Sequence, residues 1–408
     1  MRVVRIGWVV LGAAVATWCG CSRLSPQVPH TVDPRTTHAV AIAEQRLALR
    51  LLDRLCADAP GANVLIGPDS ILSAMTLAAS GAAGETRAQL LGALGFDPAL
   101  DAPLEAVAAM QRALAAAADD VELSIDHRLW IDESQRLTEA WRSRVDASFE
   151  HAFESVDFAG EPNAAREAIN EFVADATDDK IVDLMPPGSI DGLTRLVISN
   201  AVWFKGRWAH PFDPDRTRPG TFTKRDRSTV EVPMMSMKAM VGFAETDTDV
   251  VVELPYEGDE LAMLIVLPND AARIGEWPAD AFDRHAARLV QREVHVIVPR
   301  FAFRGRYALV DAFVGLGATD AFDQSRADFS AMEERRELFV SGVFHQSFIV
   351  VDEEGTEAAA ATGVAMALKS AVDRTPSFRA DRPFVFAIRH RASGAILFAG
   401  VVEDPSKS

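Results

Sequence analysis

Apolar residues recur at helical spacing in the first third of the chain and mostly at strand spacing in the rest. Residues 38–58, 69–81, 84–94 and 104–118 carry apolar positions three and four apart, which predicts amphipathic helices. The breaker Gly67-Pro68 precedes the second of these, and Asp69 or Ser70 supplies its N-cap. From Val121 the period shortens. Alternating or continuous apolar runs at 121–131, 196–204, 229–243, 249–255, 261–267, 293–303, 338–351, 383–389 and 395–402 predict strands. Helical stretches at 135–150, 162–177, 278–290 and 307–315 interrupt them. Strands this numerous, not regularly interleaved with helices, predict an α+β fold with large, mainly antiparallel sheets.

The stretch from Asp352 to Ser370 fits neither class cleanly. Its alanines, with acids early and Lys369 late, favour a helix. Against that, Gly355 and Gly363 weaken a helix interior, and the residues sort at period two. Thr356, Ala358, Ala360, Thr362, Val364, Met366 and Leu368 share one strand face, while Glu357, Ala359, Ala361, Gly363, Ala365, Ala367 and Lys369 share the other. Alanine and glycine are poor strand formers, so a segment patterned as a strand but weak as one is suited to two states.

Composition narrows the setting. With 49% apolar and 25% charged residues over 408 positions, the chain is globular, and no linker interrupts residues 38–404, which predicts a single domain. A formal charge of -18 argues against nucleic acid, whose binding draws on Lys and Arg. The N-terminus reads as export machinery: Arg2 and Arg5, then an apolar stretch from Ile6 to Thr17 that is short for a membrane span. Gly20-Cys21 resembles a lipoprotein cleavage site with Cys21 acylated, although Trp18 stands where an aliphatic residue is usual. Cleavage near Ala14-Val15-Ala16 and an uncleaved anchor are the alternatives. Residues 1–20 are thus expected as a signal and 21–37 as a linker, giving an exported protein of the cell envelope or the extracellular space. Only Cys56 then remains in the body, which excludes an intramolecular disulfide and a cysteine-rich metal site; its helical spacing predicts core filler.

Motifs of the common enzyme classes are missing: there is no Gly-x-Ser-x-Gly elbow, phosphate-binding loop, dinucleotide fingerprint or His-Glu-x-x-His helix. His345-Gln346-Ser347 suggests a nucleophile pair. Adjacent strand residues alternate between faces, so a hydrogen-bonded core histidine is the favoured reading.

Phe344-His345-Gln346-Ser347-Phe348-Ile349-Val350-Val351-Asp352-Glu353-Glu354-Gly355-Thr356-Glu357-Ala358-Ala359-Ala360 resembles the hinge and preceding strand of the serpins. The likeness extends through Asn63 to Ile71, with Gly67 where the family usually has Ser, and through Ser199-Asn200-Ala201-Val202-Trp203-Phe204-Lys205-Gly206-Arg207-Trp208. Val232-Pro233-Met234-Met235, Leu254-Pro255-Tyr256, Val298-Pro299-Arg300-Phe301, Arg382-Pro383-Phe384-Val385-Phe386 and Leu397-Phe398-Ala399-Gly400 come after these in family order.

The resemblance implies a serpin fold of three mainly antiparallel sheets, about nine helices and an exposed reactive loop at about 353–378. It implies a suicide-substrate inhibitor of serine proteases rather than an enzyme: a monomer without a cofactor that forms a covalent acyl-enzyme with its target. Family spacing after the acid matching Glu353 places the scissile bond at Lys369-Ser370, and Lys suits a trypsin-like protease. The extra residues from Ala371 to Ala380 leave cleavage after Met366, Leu368 or Arg374 as alternatives. The hinge Gly355, Thr356, Glu357, Ala358, Ala359, Ala360, Ala361 and Thr362 carries no proline, and no charge at 356, 358 or 360, to obstruct insertion. Ser70, Ser73, Asn200 and His345 match a hydrogen-bonded cluster beneath the opening sheet. Trp208 matches the tryptophan where the loop enters, and Glu353 is expected to pair with Arg300. The Ala-rich segment ending Asp119-Asp120 lacks the basic helix of polyanion-activated members, so no heparin site is expected.

Overall fold

The computed structural model describes residues 34–97, 100, 102–117, 121–149, 151–269, 277–356 and 375–407. The first helix, α1 (Pro34–Asp58), begins inside the segment expected as linker and leads through β1 (Val64–Ile66) into α2 (Pro68–Gly81). Proline opens α2, as it does α4 and α6 below, at a position where its missing N–H is not needed. Every residue of α2 except Ser80 is buried, which marks it as the central helix. That burial takes Asp69, Ser70 and Ser73 out of water and obliges them to find partners. Two shorter connections give α3 (Gly84–Ala93) and α4 (Pro103–Ala117). Cys56 packs half-buried against this core, and burial, with Glu403 nearby, pushes its thiol up to about 12.

Beyond α4 come β2 (Glu122–Asp132), α5 (Glu139–Ser148), β3 (Phe153–Val156), α6 (Pro162–Ala176) and β4 (Leu196–Arg207). The Thr138 hydroxyl caps α5 by accepting from Trp141 N, which starts that helix later than the apolar spacing alone predicts. β5 (Arg218–Thr223), β6 (Thr229–Glu245), β7 (Asp249–Pro255) and β8 (Leu261–Pro268) come next, then α7 (Ala281–Ala287). The apolar run expected as one strand at 293–303 is two: β9 (Val290–Pro299) and β10 (Phe301–Ala308), with Arg300 at the break where the chain passes from one sheet to the other. α8 (Val310–Gly315), β11 (Val340–Val351), β12 (Gly355–Thr356), β13 (Ser377–Arg379), β14 (Phe384–His390) and β15 (Ile396–Val402) complete the order.

The fold is α+β as expected, with eight α-helices among the described residues rather than about nine. Among the described residues the strands join into two hydrogen-bonded sheets, because the 17-residue β6 runs unbroken from the group β5, β9 and β13 into the group β7, β8, β14, β15 and β1, which the expected three sheets would keep apart. The second sheet has the order β10-β11-β12-β4-β2-β3. Its strand β4 is buried on both faces: Leu196, Ile198, Val202 and Phe204 turn to the main core, while Val197 and Ala201 turn to a second apolar cluster under α6. Residues 33–408 form one compact unit.

Within this sheet β4 and β11 run parallel, in continuous register from Gly342↔Val197 to Phe348↔Trp203, with a bulge at Ser341 separating these from the first pair, Val340↔Leu196. Beyond Phe348 they part, and β12 lies between them, antiparallel to both.

Candidate functional site

The site is built where β4 and β11 separate. After β11 the chain turns on Asp352, whose Oδ1 accepts from the backbone N of Glu354 (3.0 Å) and Gly355 (3.2 Å), while Asp352 N donates to Gly355 O. This local turn feeds Gly355 and Thr356 back alongside the strand they left. Gly355 pairs with Arg207 and Thr356 with Gly206 on β4, and Thr356 also pairs with Val351 on β11. Only glycine fits at 355: a Cβ there would lie 2.1 Å from Gly206 O and 2.8 Å from Arg207 Cα.

Four side chains hold this turn. The Glu353 carboxylate, 4% exposed, receives Arg300 at 2.6 Å on both oxygens and the Thr217 hydroxyl at 2.6 Å. Burial raises its pKa, but the bonds from Arg300 and Thr217 outweigh burial and keep it below the ordinary value. Trp208 donates its indole N–H to Asp352 O (3.0 Å) and its backbone N to Glu354 O (2.9 Å), and its ring stacks on Tyr256 at 4.6 Å. The Tyr256 hydroxyl in turn is hydrogen-bonded to the Thr356 hydroxyl at 2.8 Å, with both residues fully buried. Burial raises the phenol pKa, so it stays protonated. The expected Arg300–Glu353 pair and the placement of Trp208 are present. Thr217 carried no signal in the sequence, and Tyr256 was noticed only as part of a motif.

Lower down the same strand pair, His345 and Asn200 are register partners whose side chains are hydrogen-bonded across it, Nδ1 to Oδ1 at 2.5 Å. Asn200 Nδ2 donates to Ser70 Oγ on α2, and Gly67 N donates to His345 Nε2 at 3.1 Å. Nε2 as acceptor places the ring proton on Nδ1 and makes the imidazole neutral. Ser73, expected in this cluster, belongs elsewhere: it accepts from Gln111, which also binds Asp69. One turn further along α2, Ser73 faces α4 rather than the strands. His345 and Ser347, two apart on β11, share a face, contrary to the alternation invoked from sequence. Both ring nitrogens are nonetheless occupied and Ser347 Oγ donates to Leu65 O (2.9 Å), so the two do not pair as nucleophile and base.

Burial pushes His345 down to about 3 and His127, on β2, down to about 4. Their folded-state values lie below the unfolded value near 6.5, so the unfolded chain takes up protons first as pH falls. The stability they contribute is complete above about pH 6.5 and is lost between there and about pH 3. We expect the thermal midpoint to fall through that window, with a shallower fall in His127→Gln; an unchanged slope in that variant would contradict the assignment.

The sequence profile of the family described as "Serpin (serine protease inhibitor)" matches residues 42–405. The chain belongs to the serpin family. An "Uncharacterized serpin-like protein" of Methanosarcina acetivorans is 35% identical over 348 residues, 84% of this chain and 81% of that protein. The human "Leukocyte elastase inhibitor" is 34% identical over 388 residues, 89% of this chain and 98% of the relative. The solved structure of maspin superposes with a TM-score of 0.83 over 91% of this chain and 100% of maspin, at 23% identity, a likeness of fold. Membership supports protease inhibition as the general function of this serpin, in a family that also has non-inhibitory members.

The hinge residues Glu357, Ala358, Ala359, Ala360, Ala361 and Thr362, the bond Lys369-Ser370 and the lipidation candidate Cys21 lie outside the described residues. Among the described residues no cluster of three or more metal-ligating side chains occurs, and no helix is long and apolar enough to cross a membrane.

Proposed function

We propose that this serpin inhibits a serine endopeptidase of trypsin-like specificity by being cut after Lys369 and drawing the cut loop between β4 and β11. The protease serine attacks the Lys369 carbonyl, the Lys369-Ser370 peptide bond breaks, and the acyl-enzyme stays attached to the new end of the loop. The observation that carries the reading is β12, a two-residue antiparallel strand already lying between two parallel ones.

Its register prescribes the rest. Each further loop residue pairs one residue earlier on β4 and on β11, so Thr362 comes opposite Asn200 by one count and His345 by the other. Thr356, Ala358, Ala360 and Thr362 then face the core with Gly206, Phe204, Val202 and Asn200. A small side chain suits each place, and the Thr362 hydroxyl replaces what the His345–Asn200 bridge loses. One parallel pairing becomes two antiparallel ones, which are also somewhat better per residue. Export through the N-terminal segment, with Cys21 as the acylated residue, belongs to the same reading and rests on the sequence motif.

Incubation with trypsin is expected to give a detergent-stable adduct of about one-to-one composition, with the new N-terminus at Ser370. Lys369→Ala should abolish adduct formation with trypsin while leaving the thermal midpoint of the intact protein unchanged. Clean cleavage without any adduct would replace this reading with that of a non-inhibitory member cut as a plain substrate.

A further inference from the structure

Beneath the α2 turn that holds His345 and Asn200, two acidic side chains face each other in the core. Glu44 on α1 is 0% exposed and Asp69 on α2 is 1% exposed, and their carboxyl groups are in hydrogen-bond contact. Two ionised carboxylates this close in an apolar interior repel strongly, so such pairs retain a proton.

The surrounding bonds say which group carries it. Asp69 sits in the first turn of α2, where the helix favours negative charge, and both its oxygens receive Gln111 Nε2, at 2.9 and 2.7 Å. Glu44 Oε2 accepts from Ile396 N at 2.9 Å, and Glu44 Oε1 has no donor directed at it. An oxygen that is fully buried, next to a carboxylate and without a donor is accounted for if it bears the proton itself.

We propose that Glu44 donates a retained proton to Asp69, that this bond ties α1 to α2 beneath the parallel strands, and that losing the proton in alkaline solution shortens the life of the native state. Deprotonation takes the pair from one negative charge to two, at the turn of α2 from which Gly67 and Ser70 reach His345 and Asn200.

Among the described residues no basic group offsets the second charge. Arg46 and Arg50 on α1 are bonded to the carbonyls of Gly92, Ala93, Gly95 and Leu316, Glu105 on α4 pairs with Arg144 on α5, and Arg112 on α4 is exposed. His127 on β2 and His345 on β11 are neutral, and none of these groups is among the influences acting on either carboxyl. Burial raises Glu44 well above the ordinary carboxyl value and Asp69 to about 6. Raised folded-state values contribute stability that is complete below the unfolded carboxyl range and is lost as pH climbs through the folded values. The histidine contribution is already constant above about pH 6.5, while Cys56, raised to about 12, adds a loss above the unfolded thiol value of about 8.5, so the carboxyl pair is read from the difference between wild type and a Glu44 variant.

The test is the half-life of the intact protein at a fixed temperature near its midpoint, followed by near-ultraviolet circular dichroism from pH 6 to pH 9. Wild type should lose native signal about tenfold faster at pH 9, the factor for one pK unit. In Glu44→Gln the amide N–H donates to Asp69 at every pH, so the half-life at pH 6 should be kept and its pH dependence should flatten. Asp126, half-buried on β2 and pushed by desolvation up to about 7, acts in the same direction, so Asp126→Asn serves as the parallel control. An alkaline slope in Glu44→Gln equal to that of wild type overturns the proposal. Should that variant not fold, carbon-13 carboxyl NMR of wild type labelled at glutamate decides: one Glu signal still protonated at pH 6 supports the shared proton, and none overturns it. None of these outcomes depends on protease inhibition.

Discussion

Cleavage of the loop at Lys369-Ser370, or after Leu368 or Arg374, should raise the thermal midpoint by about 20 °C. About a dozen inserted residues at roughly 1 kcal/mol net per backbone hydrogen bond give on the order of 10 kcal/mol, at about 2 °C per kcal/mol for a large domain. That is as much as many whole domains possess. On the proposed mechanism the gain is withheld in the intact protein because a loop tethered at both ends cannot lie fully between β4 and β11 while also joining β13, which is anchored to β9 in parallel register from Ser377 to Arg379. Cutting frees one end, and β12 supplies the register. Scanning calorimetry of intact and cleaved protein reads the shift directly, and equal midpoints would mean that no strand is added.

The second large effect concerns the seed itself. Thr356→Arg should convert the inhibitor into a substrate: the loop is cut at the wild-type rate, but the covalent adduct with trypsin disappears. Thr356 is fully buried with its hydroxyl on Tyr256. A guanidinium left unpaired there costs about 3–5 kcal/mol. The complete insertion, worth on the order of 10 kcal/mol, would still be downhill overall. Insertion starts at residues 355 and 356, however, and those first pairs yield only about 2 kcal/mol. The penalty exceeds this opening gain, so the first step slows by about a hundredfold or more while hydrolysis of the acyl-enzyme continues. Thr356→Ser keeps the hydroxyl and should inhibit normally. An undiminished adduct in Thr356→Arg would place the start of insertion elsewhere.

Both predictions depend on a segment where local propensity and periodicity point in opposite directions. The alanines after Glu357 favour a helix by composition, and the opposing signal is their period-two sorting. Gly355 is legible as a helix breaker, but its reason is tertiary: a backbone oxygen of β4 passes where a side chain would begin. Ser73 shows the converse. Its spacing from Ser70 puts it on the same helix, and the extra turn carries it to Gln111 on α4, outside the reach of His345. The run at 293–303 looks uniform in apolar pattern, yet it divides at Arg300 because its halves pair with strands of different sheets.

By itself the sequence determined the α+β class, most helices and strands to within a few residues, and the Glu353–Arg300 pair, because periodicity, breakers and short motifs are local in the chain. Only the tertiary structure decided that β4 and β11 are parallel neighbours parted at one end, that β12 already lies in the gap, and that Glu44 and Asp69 meet beneath the parallel stretch. These are contacts between residues tens to hundreds of positions apart. Whether a threonine is a seed or a glutamate holds a proton depends on which distant groups folding brings against it.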